Sequence, residues 1–207
     1  MMWPWITLAL LGAWHGLNPG MGWLFAVSRG LQERCGRAVA KALVPIALGH
    51  ALAIGLALGV LAVAKVSLDT MHLRWATAAI VIGFGISRLV NHRHPRWVGM
   101  RIGFGGLMLW SFLMATAHGA GVMLVPLFVV GGDAASCHTH AGLSLTSPGG
   151  YAAATLLHTS AMLVIAGAVA FVVYHKVGLA LLRRAWFNLD WLWSLAIVVS
   201  GATALLM

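Results

Sequence analysis

Four histidines interrupt four otherwise apolar stretches of this chain. His15 lies in LLGAWHGLNPGMGWLF, His50 in IALGHALAIG, His118 in FLMATAHGAGVMLVPLF and His158 in TLLHTSAMLVIAG. An imidazole in hydrocarbon is costly unless its nitrogens have partners, so each needs a reason to be there. One such residue alone could be a hydrogen-bonded packing group. Four at similar depth point instead to a shared site. Neutral imidazole is a good ligand for Zn, Cu, Ni or Co, and four imidazoles suit a tetrahedral ion. The stretches also pair: His15 and His118 are each followed by glycine, while His50 and His158 each occupy the next long apolar run.

The neighbours of these histidines extend the same chemistry. Asn18 follows His15 by three positions and shares its helix face, which makes its amide an auxiliary ligand. Pro19 lacks the N–H that would bond the His15 carbonyl, so a kink beside the histidine is expected. Pro126 does the same to the carbonyl of Val122. Met114 precedes His118 by four residues and Met162 follows His158 by four, and thioethers favour soft ions such as Cu(I). Methionine in an apolar helix is more often packing than ligand.

Missing residue types narrow the reading. Glu33, Asp69, Asp133 and Asp190 are the only acids, and all fall in loops or at the ends of apolar runs. A path for a hard cation such as Ca or Mg would need oxygen ligands, so none is expected. Neither a Ser-His-Asp pattern nor HExxH occurs. A second cluster, Cys137, His138 and His140, sits in the polar segment GGDAASCHTHAGLSLTSPGG, where a thiol and two imidazoles could capture a soft transition metal. His72, His92, His94 and His175 read as interfacial residues.

The elements that must position these groups are transmembrane helices. Of 207 residues, 61% are hydrophobic and 8% charged, where a soluble domain has roughly a quarter charged. The expected fold is all-α: one polytopic membrane domain over 1–207, with six spans at about 4–28, 42–64, 73–91, 103–131, 151–174 and 187–206. The opening MMWPWITLALLGAWHG has neither basic leader nor cleavage pattern, and reads as the first span. Three spans followed by three related ones would make two inverted repeats, about 1–91 and 103–207, with the site between them. Of the 13 Lys and Arg, all but Lys65 and Arg74 fall in alternate loops, which places both termini outside the cytoplasm. The net charge of +9 is therefore a matter of topology, and no nucleic-acid partner is expected. Glycines such as Gly55, Gly59, Gly83 and Gly85 read as helix-packing positions.

The run His15-Gly16-Leu17, Pro19-Gly20, followed after a basic loop by His50, resembles the first two helices of NicO-type nickel/cobalt efflux permeases of the LysE-like transporter superfamily. The resemblance covers roughly the first 55 residues; Asn18 stands where that family has an acid and Met21 where it has a second histidine. It implies the superfamily's fold, a bacterial inner or plasma membrane, and cation efflux. The expected function is thus a permease for a transition-metal ion, with His15, His50, His118, His158 and Asn18 at a midplane site. Partners would be the lipid bilayer, the metal and, for so short a chain, further copies of itself or a membrane complex. The alternatives are an intramembrane metalloenzyme holding a fixed metal, or a small subunit or assembly factor.

Topology generates a direct prediction. In intact cells a membrane-impermeant thiol reagent should modify Cys137 and spare Cys35. The reverse pattern would invert the arrangement.

Overall fold

A computed structural model describes residues 3–67, 69–90, 102–134 and 147–177, together with 197, 198 and 202. Cys137, His138 and His140, and most of the expected sixth span, lie outside the described residues. Within them the chain is helical and has no strand. Seven helices follow in order: α1 (Trp3–Leu17), α2 (Trp23–Glu33), α3 (Gly36–Ser67), α4 (Thr70–Val90), α5 (Phe104–Ala117), α6 (Ala120–Ala134) and α7 (Pro148–Val172). A 3-10 turn, Pro19–Met21, joins α1 to α2, and a π-helical turn, Val173–Val177, ends α7.

Among the described residues two helices are long and apolar enough to cross a membrane, Gly36–Val66 and Pro148–Lys176; a third span results if α5 and the first part of α6, bent by 51°, count as one. At 1.5 Å per residue the 31 residues of Gly36–Val66 extend about 46 Å, more than the ~30 Å hydrocarbon core requires. Ile6, Leu10, Trp14 and Leu17 of α1, and Leu48, Leu52, Leu56, Val60 and Val63 of α3, form exposed apolar stripes of the kind that face lipid. α1 by itself, with 15 residues, is shorter than a full span.

The first expected span is broken rather than kinked. The residue before a proline disfavours the helical region, and Asn18 is extended at φ −70°, ψ 120°. The backbone groups released there are answered locally. Asn18 N–H donates to the His15 carbonyl at 3.1 Å, Met21 N–H to the Asn18 carbonyl at 3.0 Å, and the Trp23 indole to the Leu17 carbonyl at 3.3 Å. The His15 carbonyl is therefore a turn acceptor and not the exposed oxygen that Pro19 suggests. Gly22, at φ 109°, turns the chain into α2, a conformation that disfavours any residue with a Cβ.

The fourth expected span breaks elsewhere than its proline. Pro126 sits inside α6, and the bend falls at His118-Gly119, where Gly119 has φ +69°. Each of these two expected spans is thus interrupted within a few residues of its histidine.

Packing joins helices far apart in the sequence. α1 lies chiefly against α7, and α3 against α5. Glycines let these backbones touch: a Cβ on Gly12 would sit 2.2 Å from the His158 carbonyl oxygen, one on Gly16 2.4 Å from that of Met162, and one on Gly49 2.1 Å from that of Met108. The Ser111 hydroxyl of α5 donates to the Ile46 carbonyl of α3 at 2.7 Å, and Lys65 Nζ of α3 donates to the Phe128 carbonyl of α6 at 2.7 Å. The sequence points to different glycines. Gly55, Gly59 and Gly83 have no described atom within 4 Å of an added Cβ, and of that set only Gly85 packs closely, against Val198.

Two substitutions on α3 separate these cases. Gly49→Ala must push α5 away and should cost about 1–3 kcal/mol, whereas Gly55→Ala should be neutral or stabilising by up to about 1 kcal/mol. Thermal unfolding of the purified protein in detergent measures both; equal effects would contradict the packing.

Candidate functional site

Each of the four histidines arrives at the interior on a different helix or helix end. His15 occupies the last turn of α1, His50 the middle of α3, His158 the first half of α7, and His118 the residue that closes α5. His15, His50 and His158 are wholly buried and His118 nearly so. Three of the rings meet: the centroids of His15 and His158 are 4.9 Å apart, those of His15 and His50 5.5 Å, and those of His50 and His158 5.6 Å.

The three rings form a layer between two apolar clusters. On α3, Ile46 belongs to one cluster and Ile54 and Leu58 to the other, with His50 between them. On α7, Met162 and Ala154 flank His158 in the same way. The first cluster, with Leu8, Leu124 and Phe128, closes one side; the second, with Trp23, Val27 and Val39, closes the other. Of the four histidines expected to share a site, His15, His50 and His158 form this layer.

Backbone carbonyls fix the rings. Because a carbonyl can only accept, Nδ1 must carry the proton wherever it bonds one. His15 Nδ1 donates to the Leu11 carbonyl at 2.9 Å and His118 Nδ1 to the Met114 carbonyl at 2.8 Å, both four residues back on their own helix. His158 Nδ1 donates across the interface to the Leu8 carbonyl of α1 at 3.1 Å. In all three the neutral ring then carries its lone pair on Nε2. This is the orientation in which metal-ligating histidines are held by a carbonyl behind them.

His50 differs. Neither of its ring nitrogens has a hydrogen-bond partner among the described residues, and the same holds for His158 Nε2, Asn18 Nδ2 and Thr159 Oγ1. A buried polar group left so costs about 1–3 kcal/mol, and several in one place call for a ligand.

The spacing of the rings fits an ion, while their present tilt does not. Three imidazoles bound through nitrogen to one tetrahedral ion at about 2.0–2.1 Å would set their centroids roughly 5 Å apart. The observed triangle is close to this. However, the planes of His50 and His158 are parallel to within 1°, so their lone pairs do not meet at a point. Accordingly, no three His, Cys, Asp or Glu side chains among the described residues stand in coordinating positions. No hydrogen bond among the described residues fixes the tilt of His50.

Asn18 has a structural task that its spacing did not reveal. Its Oδ1 accepts the Gly20 N–H at 2.8 Å and caps the 3-10 turn, which leaves at most one lone pair for a ligand. His118 Cε1 lies 3.3 Å from where a Gly20 Cβ would be, with Asn18 Oδ1 at 3.1 Å from the same point.

No described carboxylate joins the layer. Glu33 pairs with Arg29 at 2.9 Å, and Asp69 caps α4 by accepting the His72 N–H at 2.8 Å. The His72 backbone and ring hydrogen bonds hold the exposed Asp69 carboxyl below its usual range. Thr159, Ser111 and the Gly12-x-x-x-Gly16 run that brackets His15 escaped the sequence reading. Only the last had a readable signal, since small residues four apart mark close helix contacts.

No protein-family model, curated protein or solved structure matches this chain. The site must therefore be read from its own geometry.

That geometry makes a stability prediction. In chelator-treated detergent solution, His50→Leu should raise stability by about 1–3 kcal/mol, because it removes buried unsatisfied nitrogens. His158→Leu should lower it, because the Leu8 carbonyl loses its donor. Thermal unfolding decides, and a destabilised His50→Leu would show that this ring is already satisfied.

Proposed function

We propose that the chain is a membrane permease for a transition-metal cation, with His15, His50 and His158 as the core of its binding site. The observation that carries this reading is the sealed layer of three imidazoles between two apolar clusters. Such a layer offers nitrogen ligands and no described carboxylate, which suits Zn, Cu, Ni or Co over Ca or Mg. A His50 ring with no hydrogen-bond partner among the described residues favours an ion that must leave again over one that is permanently fixed.

The helix pairing supports a specific motion. Close backbone contact makes α1 with α7 one unit, carrying His15 and His158, and α3 with α5 another, carrying His50. Relative movement of these units would separate His50 from the other two rings and open the layer to one side. The two chain halves, 1–91 and 103–207, are then not the moving bodies, because each unit draws one helix from each half.

The remaining features of this reading are six spans in two inverted repeats, both termini outside the cytoplasm, and membership of the NicO-like permeases of a bacterial inner membrane. The repeat is supported by the matched behaviour of His15 and His118, each at a helix break and each donating Nδ1 to the carbonyl four residues back. Cys137, His138 and His140 would capture metal at the outer mouth, and assembly with further copies or a membrane complex would complete the unit.

Proteoliposomes containing a metal-sensitive dye test the proposal. Co(II) or Zn(II) should enter with the wild-type protein, and His50→Ala or His158→Ala should lower the initial rate at least tenfold while the protein remains folded. A stoichiometric metal that resists chelators, with no flux, would replace the permease reading with a metalloenzyme.

A further inference from the structure

Basic residues at the end of a span usually mark only topology, so a pair with a further task must be distinguished by its surroundings. Arg37 and Lys41 of α3 are such a pair. They lie four residues apart at the start of the helix, so they share one face with about 6 Å of rise between them. Both are exposed. Neither has a hydrogen-bond or ion-pair partner among the described residues, whereas Arg29 is held by Glu33 at 2.9 Å. Arg34, also exposed, precedes Arg37 by three residues, and no acidic residue in the first turn of α3 offsets the charge.

The same face continues as hydrocarbon. Val44, Leu48 and Leu52 follow Lys41 at intervals of three and four residues and are 53%, 46% and 55% exposed, while Ala42 and Ile46 are buried on the other side. From Lys41 to Leu52 the helix rises about 16 Å, close to half of the ~30 Å hydrocarbon core. That is the depth of one leaflet. Gly55, next on this face, has no described atom within 4 Å of an added Cβ, so no described helix covers the stripe there. The exposed stripe of α1, by contrast, contains no Lys or Arg.

We propose that this face of α3 binds an anionic phospholipid, its phosphate between Arg37 and Lys41 and an acyl chain along Val44, Leu48 and Leu52. A guanidinium can give two parallel N–H bonds to one phosphate, and the lysine adds a point charge. A water-soluble phosphate would satisfy the cations and leave the stripe bare. A zwitterionic lipid would cover the stripe, but its own ammonium competes for the phosphate. An anionic lipid answers both halves of the surface. His50 is buried on the other side of the same helix, so this surface is separate from the imidazole layer. The proposal requires only that α3 spans a bilayer, and it does not depend on the permease reading.

Native mass spectrometry of the full chain, released from detergent after mixing with equal amounts of phosphatidylglycerol and phosphatidylcholine of the same acyl chains, tests the proposal. The protein should retain phosphatidylglycerol over phosphatidylcholine by about tenfold, and Arg37→Gln combined with Lys41→Gln should abolish that preference. Both positions are exposed, so thermal unfolding of this variant should match that of the unsubstituted protein. Removing equal charge elsewhere, by Arg29→Gln combined with Lys176→Gln, should leave the preference in place. Glycerol 3-phosphate, which carries the phosphate without the chains, should not displace the bound lipid. No preference in the unsubstituted protein, a preference that survives loss of Arg37 and Lys41, equal losses in both double variants, or displacement by glycerol 3-phosphate would each overturn the lipid site.

Discussion

A neutral imidazole sealed in an apolar bundle has one proton to give and one lone pair to place, and the bundle must find a partner for each. The proton is handled by backbone carbonyls: Leu11 for His15, Met114 for His118 and Leu8 for His158. With Nδ1 so engaged, the lone pair falls on Nε2, where it can serve a cation. His50 lacks even the first partner among the described residues. Retaining such a residue costs about 1–3 kcal/mol per unsatisfied group, which a purely structural core would avoid by using leucine. A ligand on these nitrogens would remove that cost.

The arrangement of helices follows from the same demand. Ring centroids cannot come within 4.9–5.6 Å across three helices unless at least two backbones approach closely. Gly12 and Gly16 bring α1 onto the His158 and Met162 carbonyls, and Gly49 brings α3 onto α5 one residue before His50. These contacts join the helices in two cross-chain pairs, and the ring layer lies at the boundary between them. The broken end of α1 and the Gly119 bend after α5 give that boundary irregular backbone whose polar groups are largely satisfied locally, as membrane burial requires.

Much of this was legible in the sequence, and the limits have physical causes. Composition pointed to a helical membrane class, and of the four histidines isolated in apolar runs, three, His15, His50 and His158, have rings that meet. Asn18-Pro19 marked a real interruption. Hydropathy could not tell one span from two half-helices, so 4–28 and 103–131 read as continuous. Pro126 was misleading because a helix tolerates a proline whose lost hydrogen bond is compensated nearby, whereas Gly119 changes direction through a positive φ that composition does not announce. Partners such as the Leu8 carbonyl, 150 positions from His158, belong to tertiary packing and leave no mark on the local pattern.

The central claim is that three imidazoles from α1, α3 and α7 can close on one ion. X-ray absorption of the Zn(II)-loaded protein, with Cys137, His138 and His140 replaced to silence the loop, measures this directly. The account predicts at least three imidazole nitrogens at about 2.0–2.1 Å, and one fewer in His50→Ala. Zinc bound by one imidazole or none, or a spectrum unaltered by His50→Ala, would contradict it.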